Sequence, residues 1–216
     1  MESIRGKQAL EIDAPALAQR LAGYERILMD IGTGDGRFVQ QVAKTCPEQF
    51  AIGIDACREN LCASSRNALL NALYIVANAQ ALPCELYGLA THVTINFPWG
   101  SLLNGLLTGD LTLLGGLAAI AQPGAILEVR LNGGALAEAG WGLEDGGERV
   151  RQLLCASGFG MRPTVALTAR DLRACPTTWA KRLAFGRDPR ALCLRGGKCM
   201  AAGVLAPAVS LATKRP

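Results

Sequence analysis

Short apolar runs alternate with longer amphipathic segments along the chain, a pattern typical of strands that alternate with helices. The predicted strands cover 26–31, 50–54, 73–77, 91–97, 125–131, 162–167 and 191–194. A first predicted helix begins after the capping residue Asp13. Four further predicted helices cover 38–46, 58–70, 111–121 and 149–157. This alternation indicates an α/β fold whose main sheet is parallel, with right-handed crossovers.

Both ends of the chain predict antiparallel additions to that sheet. Residues 1–12 alternate loosely around Gly6-Lys7, which is typical of a short hairpin. Gly196-Gly197 predicts a turn into a last strand around 200–205, and therefore an antiparallel C-terminal edge. We expect a mixed seven-stranded sheet with this edge and a short N-terminal hairpin.

The composition excludes several broad classes of protein. Half of the 216 residues are hydrophobic and 19% are charged, which is too apolar for an intrinsically disordered chain. The longest apolar run, 111–121, is shorter than the roughly 20 residues that span a bilayer, and the N-terminus carries no signal segment. The eight cysteines include no C-x-x-C pair, and His92 is the one histidine, so we expect no metal site. We expect a soluble, cytoplasmic protein whose cysteines are small buried thiols.

The net charge of +4 hides a strong asymmetry along the chain. Residues 1–148 hold 9 lysines and arginines against 16 carboxylates, for a net charge of −7. Residues 149–216 hold 13 against 2, for a net charge of +11. A basic region with so few acidic residues favours a polyanionic partner, of which nucleic acid is the best candidate. We expect a single domain over 1–216, in which 168–190 is a basic linker.

A glycine cluster after the first parallel strand carries the first chemical signal. It reads Asp30-Ile31-Gly32-Thr33-Gly34-Asp35-Gly36, and glycines at the carboxyl end of a strand let the backbone approach a ligand closely. The dinucleotide fingerprint G-x-G-x-x-G would need glycine where Arg37 stands, so a dehydrogenase is disfavoured. The observed D-x-G-x-G-x-G pattern resembles the AdoMet-binding loop of class I methyltransferases.

Polar residues at the ends of the next two strands fit the rest of such a cofactor. Asp55 ends the second strand, nineteen residues after Gly36, where a carboxylate accepts hydrogen bonds from ribose hydroxyls. Ala79 and Gln80 follow the third strand, where an adenine would lie. A plain surface role explains Gln80 equally well.

Two tryptophans stand in contexts that favour base stacking. Trp99 follows the fourth strand within Asn96-Phe97-Pro98-Trp99-Gly100-Ser101, the place of the acceptor substrate in such folds. Trp179 lies within Thr177-Thr178-Trp179-Ala180-Lys181-Arg182, in the basic linker. An aromatic ring among cations suits both the bases and the phosphates of RNA, although core packing of either ring is an alternative.

Together and in this order, these segments resemble the KamB/NpmA-type aminoglycoside-resistance methyltransferases, which modify N1 of adenine 1408 in 16S rRNA. The motifs that carry the resemblance are Asp-x-Gly-Thr-Gly-Asp-Gly, Phe-Pro-Trp-Gly-Ser-Leu-Leu and Trp-Ala-Lys-Arg-Leu-Ala-Phe-Gly-Arg. The first is generic to AdoMet enzymes, and the other two are specific to the family. The resemblance implies a class I, Rossmann-like fold, S-adenosyl-L-methionine as cofactor and S-adenosyl-L-homocysteine as product. It also implies 16S rRNA in the assembled 30S subunit as the partner, and we expect a monomer by default.

The resemblance further implies a role for each matching residue. Trp99 and Trp179 would be the catalytic pair that sandwiches the flipped target adenine. The implied cofactor-binding residues are Asp30, Gly32, Thr33, Gly34, Gly36, Asp55, Ala79, Gln80, Asn96, Ser101 and Thr177. The implied RNA-binding residues are Arg66, Lys181, Arg182, Arg187 and Arg190.

The chain departs from the family pattern in the helix after the second strand. The family member that we compare carries several lysines there, whereas 58–70 offers only Arg58 and Arg66. Gln80 stands where the family usually has an acid. We expect these departures to affect RNA docking more than the chemistry.

Three alternatives stay open from the sequence. A tRNA guanine-N7 methyltransferase has a different Pro-Trp motif and lacks the second tryptophan. A small-molecule methyltransferase would not need the basic C-terminal region. A non-enzymatic AdoMet-binding fold would bind 30S subunits without transferring a methyl group.

Overall fold

The computed structural model describes residues 1–185 and 189–200, and these residues form one mixed sheet covered by helices. The strands are β1 (Glu2–Arg5), β2 (Gln8–Glu11), β3 (Arg26–Ile31), β4 (Gln49–Asp55), β5 (Ala72–Val76), β6 (Ala90–Asn96), β7 (Ala121–Asn132), β8 (Phe159–Met161), β9 (Val165–Ala166) and β10 (Ala191–Lys198). The helices are α1 (Ala14–Leu21), α2 (Arg37–Thr45), α3 (Arg58–Arg66), α4 (Gly100–Thr108), α5 (Leu111–Ile120), α6 (Gly133–Glu138), α7 (Leu143–Ala156), α8 (Ala169–Ala174) and α9 (Thr178–Phe185).

The sheet has a parallel centre with antiparallel additions on both sides. Its order is β2-β1-β5-β4-β3-β6-β7-β10-β8, and β9 pairs with β10. The strands from β3 to β7 pair in parallel, whereas β10 runs antiparallel to β7, and the hairpin of β1 and β2 joins β5 through Ser3 and Ile75. The predicted fold class is therefore confirmed. The described residues form ten strands rather than seven, because the hairpin extends the sheet and β9 is an additional short strand.

Helices cover both faces of the sheet and bury its apolar side chains. On one face, α2 and α3 contribute Phe38, Val39 and Leu61 to a cluster with Tyr74 of β5. The larger cluster includes leucines and isoleucines of α1, α4, α5 and α7. Strands covered on both faces read as continuous apolar runs, which is why the hydrophobic pattern identified the parallel strands.

A third cluster attaches the two helices of the basic linker to the sheet. Leu172 and Cys175 from the α8 segment and Ala180 of α9 are buried together with Phe97 and Ala191. These contacts hold α9 beside the carboxyl end of β6. The segment predicted as a linker over 168–190 therefore contains two packed helices.

Several predicted boundaries differ from the structure. The predicted helix 58–70 ends at Arg66, and the predicted helix 149–157 begins at Leu143. The predicted strand 162–167 is replaced by β8 and β9, which are separated by Pro163, a residue without the N–H that a ladder needs. The hydrophobic pattern did not predict the short helices α4, α6 and α8. Helices α4 and α6 both begin at a glycine, and α4 contains a second glycine in its interior.

The predicted turn at Gly196-Gly197 is wrong. Both glycines lie inside β10, where Gly196 pairs with Leu127 of β7 and Met161 of β8. A Cβ atom at Gly196 would lie 2.5 Å from the carbonyl oxygen of Gly160, so this glycine permits a close approach between strands. The strand predicted around 200–205 lies almost entirely outside the described residues.

Two expectations drawn from composition are tested by burial and helix length. Of the eight cysteines, only Cys175 is buried and Cys57, Cys84, Cys155 and Cys199 are exposed, so the interpretation of buried thiols is wrong for most of them. In the described part of the chain, no helix alone has the length and hydropathy to cross a bilayer. Among the helices of residues 1–185 and 189–200, α4 and α5 pass that test only when taken together, as a pair bent by 95°.

Candidate active site

A cavity of about 530 Å³ opens at the carboxyl ends of β3, β4, β5 and β6, where α/β sheets bind ligands. Its wall brings together most of the residues that the sequence singled out. These are Asp30, Gly32, Thr33, Gly34, Asp55, Ala79, Gln80, Asn96, Trp99, Ser101, Thr177, Trp179 and Arg182. Polar residues to which the sequence assigned no role also line it, namely Asp35, Asn60, Asn78 and Thr178.

Four of the predicted residues in the described part of the chain lie outside this cavity. Gly36 precedes α2 with a φ of 71°, and a side chain there would collide with the buried Tyr74. Glycine at this position is therefore explained by the fold rather than by contact with a ligand. Arg66 is exposed at the end of α3, and Lys181 lines a separate groove. Arg190 precedes β10, and Arg187 lies outside the described residues.

The glycine cluster after β3 forms a tight backbone cradle on one side of the cavity. The N–H groups of Gly32 and Thr33 both donate to the carbonyl of Ile54, at 2.8 and 3.0 Å. Gly32 and Gly34 have φ angles of 69° and 58°, which glycine adopts without strain. The Gly34 N–H donates to Asp55 Oδ2 at 2.8 Å. The loop and this carboxylate are therefore held as one unit.

Asp30 is buried beneath the loop and is held by a chain of polar side chains. Thr94 Oγ1 and Asn96 Nδ2 donate to Asp30 Oδ1 at 2.7 and 2.8 Å. Arg130 donates to Asn96 Oδ1 and forms an ion pair with Glu128, so the amide of Asn96 is oriented with its nitrogen toward Asp30. Burial raises the pKa of Asp30 to about 6, although hydrogen bonds to the carboxylate oppose the rise. Sequence reasoning missed Arg130, which lies near the carboxyl end of β7 outside any recognised motif.

Gln80 is fixed by a residue that also caps a helix. Its Nε2 donates to Asp110 Oδ2 at 2.6 Å, and Asp110 Oδ1 accepts hydrogen bonds from the N–H groups of Thr112 and Leu113 at the start of α5. Contacts with Thr112 are the largest cause of a lowered pKa at Asp110. Asp110 accepts a hydrogen bond from one of the two N–H donors of the Gln80 amide, so the amide oxygen and the second N–H are available to a ligand.

The two tryptophans stack on each other at the mouth of the cavity. The ring centroids of Trp99 and Trp179 are 5.3 Å apart, with an angle of 12° between the planes. The residues are 41% and 39% exposed, so neither ring belongs to the core. The guanidinium carbon of Arg182 lies 5.2 Å from the centroid of Trp179. Before Trp99, the buried Phe97 has a φ of 53°, an uncommon conformation for a bulky residue.

Helix α9 is tied directly to the glycine loop. Thr178 Oγ1 donates to Asp35 Oδ2 at 2.5 Å, across 143 residues of sequence. Thr177 Oγ1 accepts from the Ala180 N–H at 2.9 Å and so caps the helix. Trp179 lies between these contacts. The cradle and the tryptophan stack therefore share one polar connection that the sequence did not reveal, because Asp35 and Thr178 are far apart in the chain.

The cavity suits the cofactor that the resemblance implies. The buried carboxylate of Asp30 suits an ammonium group, and the carboxylate of Asp55 suits ribose hydroxyls. The φ of 69° at Gly32 favours glycine where the loop closes on the cavity, and a Cβ atom there would also force the end of the Leu102 side chain, 2.5 Å away, to move. His92 is half-buried in β6 and does not line the cavity, and burial lowers its pKa.

Comparison with protein families identifies one match over nearly the whole described chain. The family model described as 16S rRNA (adenine(1408)-N(1))-methyltransferase matches residues 2–198. The chain is also similar to a protein of Streptoalloteichus hindustanus named 16S rRNA (adenine(1408)-N(1))-methyltransferase. The two are 33% identical over 204 residues, which cover 87% of this chain and 94% of the relative.

Comparison with solved structures gives the same result for the fold. The structure of a variant 16S rRNA (adenine(1408)-N(1))-methyltransferase from Catenulisporales acidiphilia with cosubstrate SAM has a TM-score of 0.82 at 25% identity. The match covers 94% of this chain and 98% of that one. The aminoglycoside resistance methyltransferase NpmB1 has a TM-score of 0.77 at 31% identity, over 91% and 98% of the two chains.

Proposed function

Because the chain belongs to the 16S rRNA (adenine(1408)-N(1))-methyltransferase family, we propose that it methylates N1 of adenine 1408 in 16S rRNA. S-adenosyl-L-methionine is the methyl donor and S-adenosyl-L-homocysteine the product. The observation that carries this proposal is the pair of exposed tryptophans at the mouth of a cavity suited to AdoMet. A tRNA guanine-N7 enzyme lacks the second tryptophan, and a small-molecule methyltransferase would not need the basic C-terminal region.

Different residues of the cavity hold different parts of the cofactor. Asp30 and the glycine cradle hold the amino-acid part, and Asp55 accepts hydrogen bonds from the ribose. Ala79 and Gln80 line the adenine. Asn96, Ser101 and Thr177 close the site beside the transferred methyl group. The backbone of Gly32, Thr33 and Gly34 forms the cradle against the cofactor. Gly36 acts indirectly, by allowing the loop its conformation.

The chemistry needs positioning rather than a general base. AdoMet, when bound, supplies a methyl group on a positively charged sulfur. Adenine N1 has an in-plane lone pair and carries no proton, so forming the N1–CH3 bond would break the S–CH3 bond, release S-adenosyl-L-homocysteine and require no prior removal of a proton. The product adenine is cationic, and the faces of Trp99 and Trp179 stabilise it by roughly 0.5–2 kcal/mol. This agrees with the position of His92 outside the cavity wall.

The tryptophan stack must open to admit the base. Stacked bases are about 3.4 Å apart, so a base between two rings needs a centroid separation of about 7 Å, against the 5.3 Å observed. Flipping the adenine costs a few kcal/mol. Stacking on aromatic rings offsets this cost by about 1–3 kcal/mol per base. Trp99 and Trp179 therefore exchange one stacking partner for another.

The basic residues hold RNA beside this site in the assembled 30S subunit. Arg182 lies against Trp179 at the cavity mouth, and Lys181, Arg66, Arg187 and Arg190 are assigned to the surrounding backbone. The enzyme acts as a monomeric single domain in the cytoplasm, where the 30S subunit is found. The methyl group and the positive charge on the adenine obstruct aminoglycosides, which use the same Watson–Crick edge, and this confers resistance.

The test is methylation of purified 30S subunits with tritiated AdoMet, followed by mapping of the modified base as a reverse-transcription stop. We expect label and a stop at adenine 1408. Trp99→Ala or Trp179→Ala should lower the transfer rate about 5- to 150-fold, because each ring contributes about 1–3 kcal/mol of stacking, and should leave AdoMet affinity unchanged. Wild-type turnover in either variant would refute the sandwich, and label without the stop would refute the target base. AdoMet binding without label would favour the non-enzymatic alternative.

A further inference from the structure

A second groove, of about 460 Å³, lies between α2 and the beginning of α9. It is lined by Arg37, Gln40, Gln41, Lys44, Asn67, Leu69, Pro176 and Lys181. Three of these side chains are cations, three are amides and none is a carboxylate. We propose that this α2 groove binds phosphates of the 16S rRNA backbone next to the target adenine; the inference rests on the proposed function and names further contacts to the same substrate.

One face of α2 consists entirely of cations and amides. Arg37, Gln40, Gln41 and Lys44 are spaced at i, i+3, i+4 and i+7, so they lie on one side of the helix. The helix contains no acidic residue, whereas a solvated helix face commonly mixes both signs of charge. Amide and cationic side chains are the groups that usually contact phosphate oxygens.

The charge of the α2 groove is only partly neutralised within the protein. Over residues 1–185 and 189–200, Lys44 and Lys181 form no ion pair, and both are exposed. Arg37 Nε lies 3.4 Å from Asp35 Oδ2, and both side chains are substantially exposed. One carboxylate therefore offsets one of three cations. The remaining charge is available to an anionic partner.

Helix α9 places the α2 groove next to the methylation site. Trp179 and Arg182 line the cavity, whereas Lys181 lines the α2 groove. The two sites thus lie on either side of a single helix, whose diameter is about 10–12 Å. An RNA strand whose base enters the tryptophan pair passes its neighbouring phosphates within reach of this groove.

The neighbouring helix α3 offers few charges for the same task. Arg58 of α3 forms an ion pair with Glu2 at 2.5 Å, which leaves Arg66 as its other cation. The segment after α3 contributes Asn67 and Leu69 to the α2 groove. Positive charge on this side of the cavity is therefore supplied mainly by α2 and α9.

The test measures the affinity of the protein for purified 30S subunits as a function of salt concentration, for Lys44→Gln, Lys181→Gln and the double variant. We expect each single change to weaken binding about 3- to 10-fold and to lower the slope of log affinity against log salt by about one. AdoMet affinity should be unchanged in Lys44→Gln. Lys44→Arg, which keeps the charge, should bind 30S subunits as the wild type does.

The control is Arg26→Gln, which removes one exposed positive charge at the start of β3, the opposite end of the strands from the cavity, where Arg26 forms an exposed ion pair with Glu48 at 3.3 Å. It should leave affinity and salt slope unchanged. Wild-type binding by Lys44→Gln, or an equal loss in Arg26→Gln, would overturn the inference. Because the experiment measures affinity rather than methyl transfer, it separates this inference from the proposed function. If Lys44→Gln lowers the salt slope but the wild-type protein leaves adenine 1408 unmodified, the proposed reaction is refuted and the α2 groove is not.

Discussion

At the scale of single residues, Arg130 orients the buried polar chain that ends at Asp30. We expect Arg130→Met to lower the free energy of unfolding by about 2–4 kcal/mol, because Glu128, whose side chain is 8% exposed, loses its nearest cation. AdoMet affinity should fall too, since Asn96 is no longer held in one orientation. Arg195→Met is the control: Arg195 lies 3.9 Å from the same carboxylate and is half exposed, so its loss should cost less than about 1 kcal/mol. Equal losses in chemical denaturation would show that Arg130 has no special position.

The Asp30 carboxylate gives the protein a defined pH dependence. Its pKa is about 6 in the folded protein against an ordinary 3.8, so the folded state holds the proton more tightly than the unfolded chain. The free energy of unfolding therefore falls by on the order of 2–3 kcal/mol as pH rises from about 4 to 6. Above that range, Asp30 causes no further change. Asp30→Asn should therefore be more stable than the wild type at pH 8 but not at pH 4, while it loses AdoMet binding. An equal difference at both pH values in denaturant unfolding would contradict this account.

At the scale of elements, α9 depends on one hydrogen bond for its link to the glycine loop. Thr178→Val removes the hydroxyl that donates to Asp35. We expect about a 10-fold loss in kcat/KM for 30S subunits and a weaker exciton couplet between the stacked tryptophans in circular dichroism, because Trp179 is held less firmly. Thr178→Ser keeps the hydroxyl and should restore both signals. An unchanged couplet in Thr178→Val would show that the apolar contacts of Ala180 are sufficient.

At the scale of the whole molecule, the charge asymmetry of the sequence only partly describes the RNA-facing surface. Several cations of the basic half are used within the fold: Lys198 Nζ donates to the carbonyls of Ala118 and Ala121, and Arg151 pairs with Glu148. Conversely, Arg37 and Lys44 of the α2 groove come from the acidic half. A count of charges along the chain cannot distinguish cations used inside the fold from cations that face RNA, because that difference depends on how the helices and strands pack.

The sequence predicted the parallel strands and most of the cavity wall because both are encoded locally. The glycine cluster and Trp99 each follow a strand and Asp55 ends one, and the carboxyl ends of parallel strands meet at one edge. The parts it missed are those that pair distant segments. Arg130 with Asn96 and Thr178 with Asp35 are such pairs, and so is the fit of Gly196 between two strands, which the local pattern presented as a turn.

The contact between Trp99 and Trp179 also bears on which molecules the enzyme ignores. Free adenosine and ATP offer the same base as the ribosomal target, at far higher abundance, yet they meet rings that are already stacked. Separating the rings forfeits about 0.5–1.5 kcal/mol of aromatic contact, which lowers capture of a free nucleotide by about 2- to 10-fold. A nucleotide delivered by a docked ribosomal surface adds backbone contacts that offset this loss. We therefore expect the closed pair to bias transfer of the methyl group toward a docked ribosomal adenine and away from free adenine nucleotides.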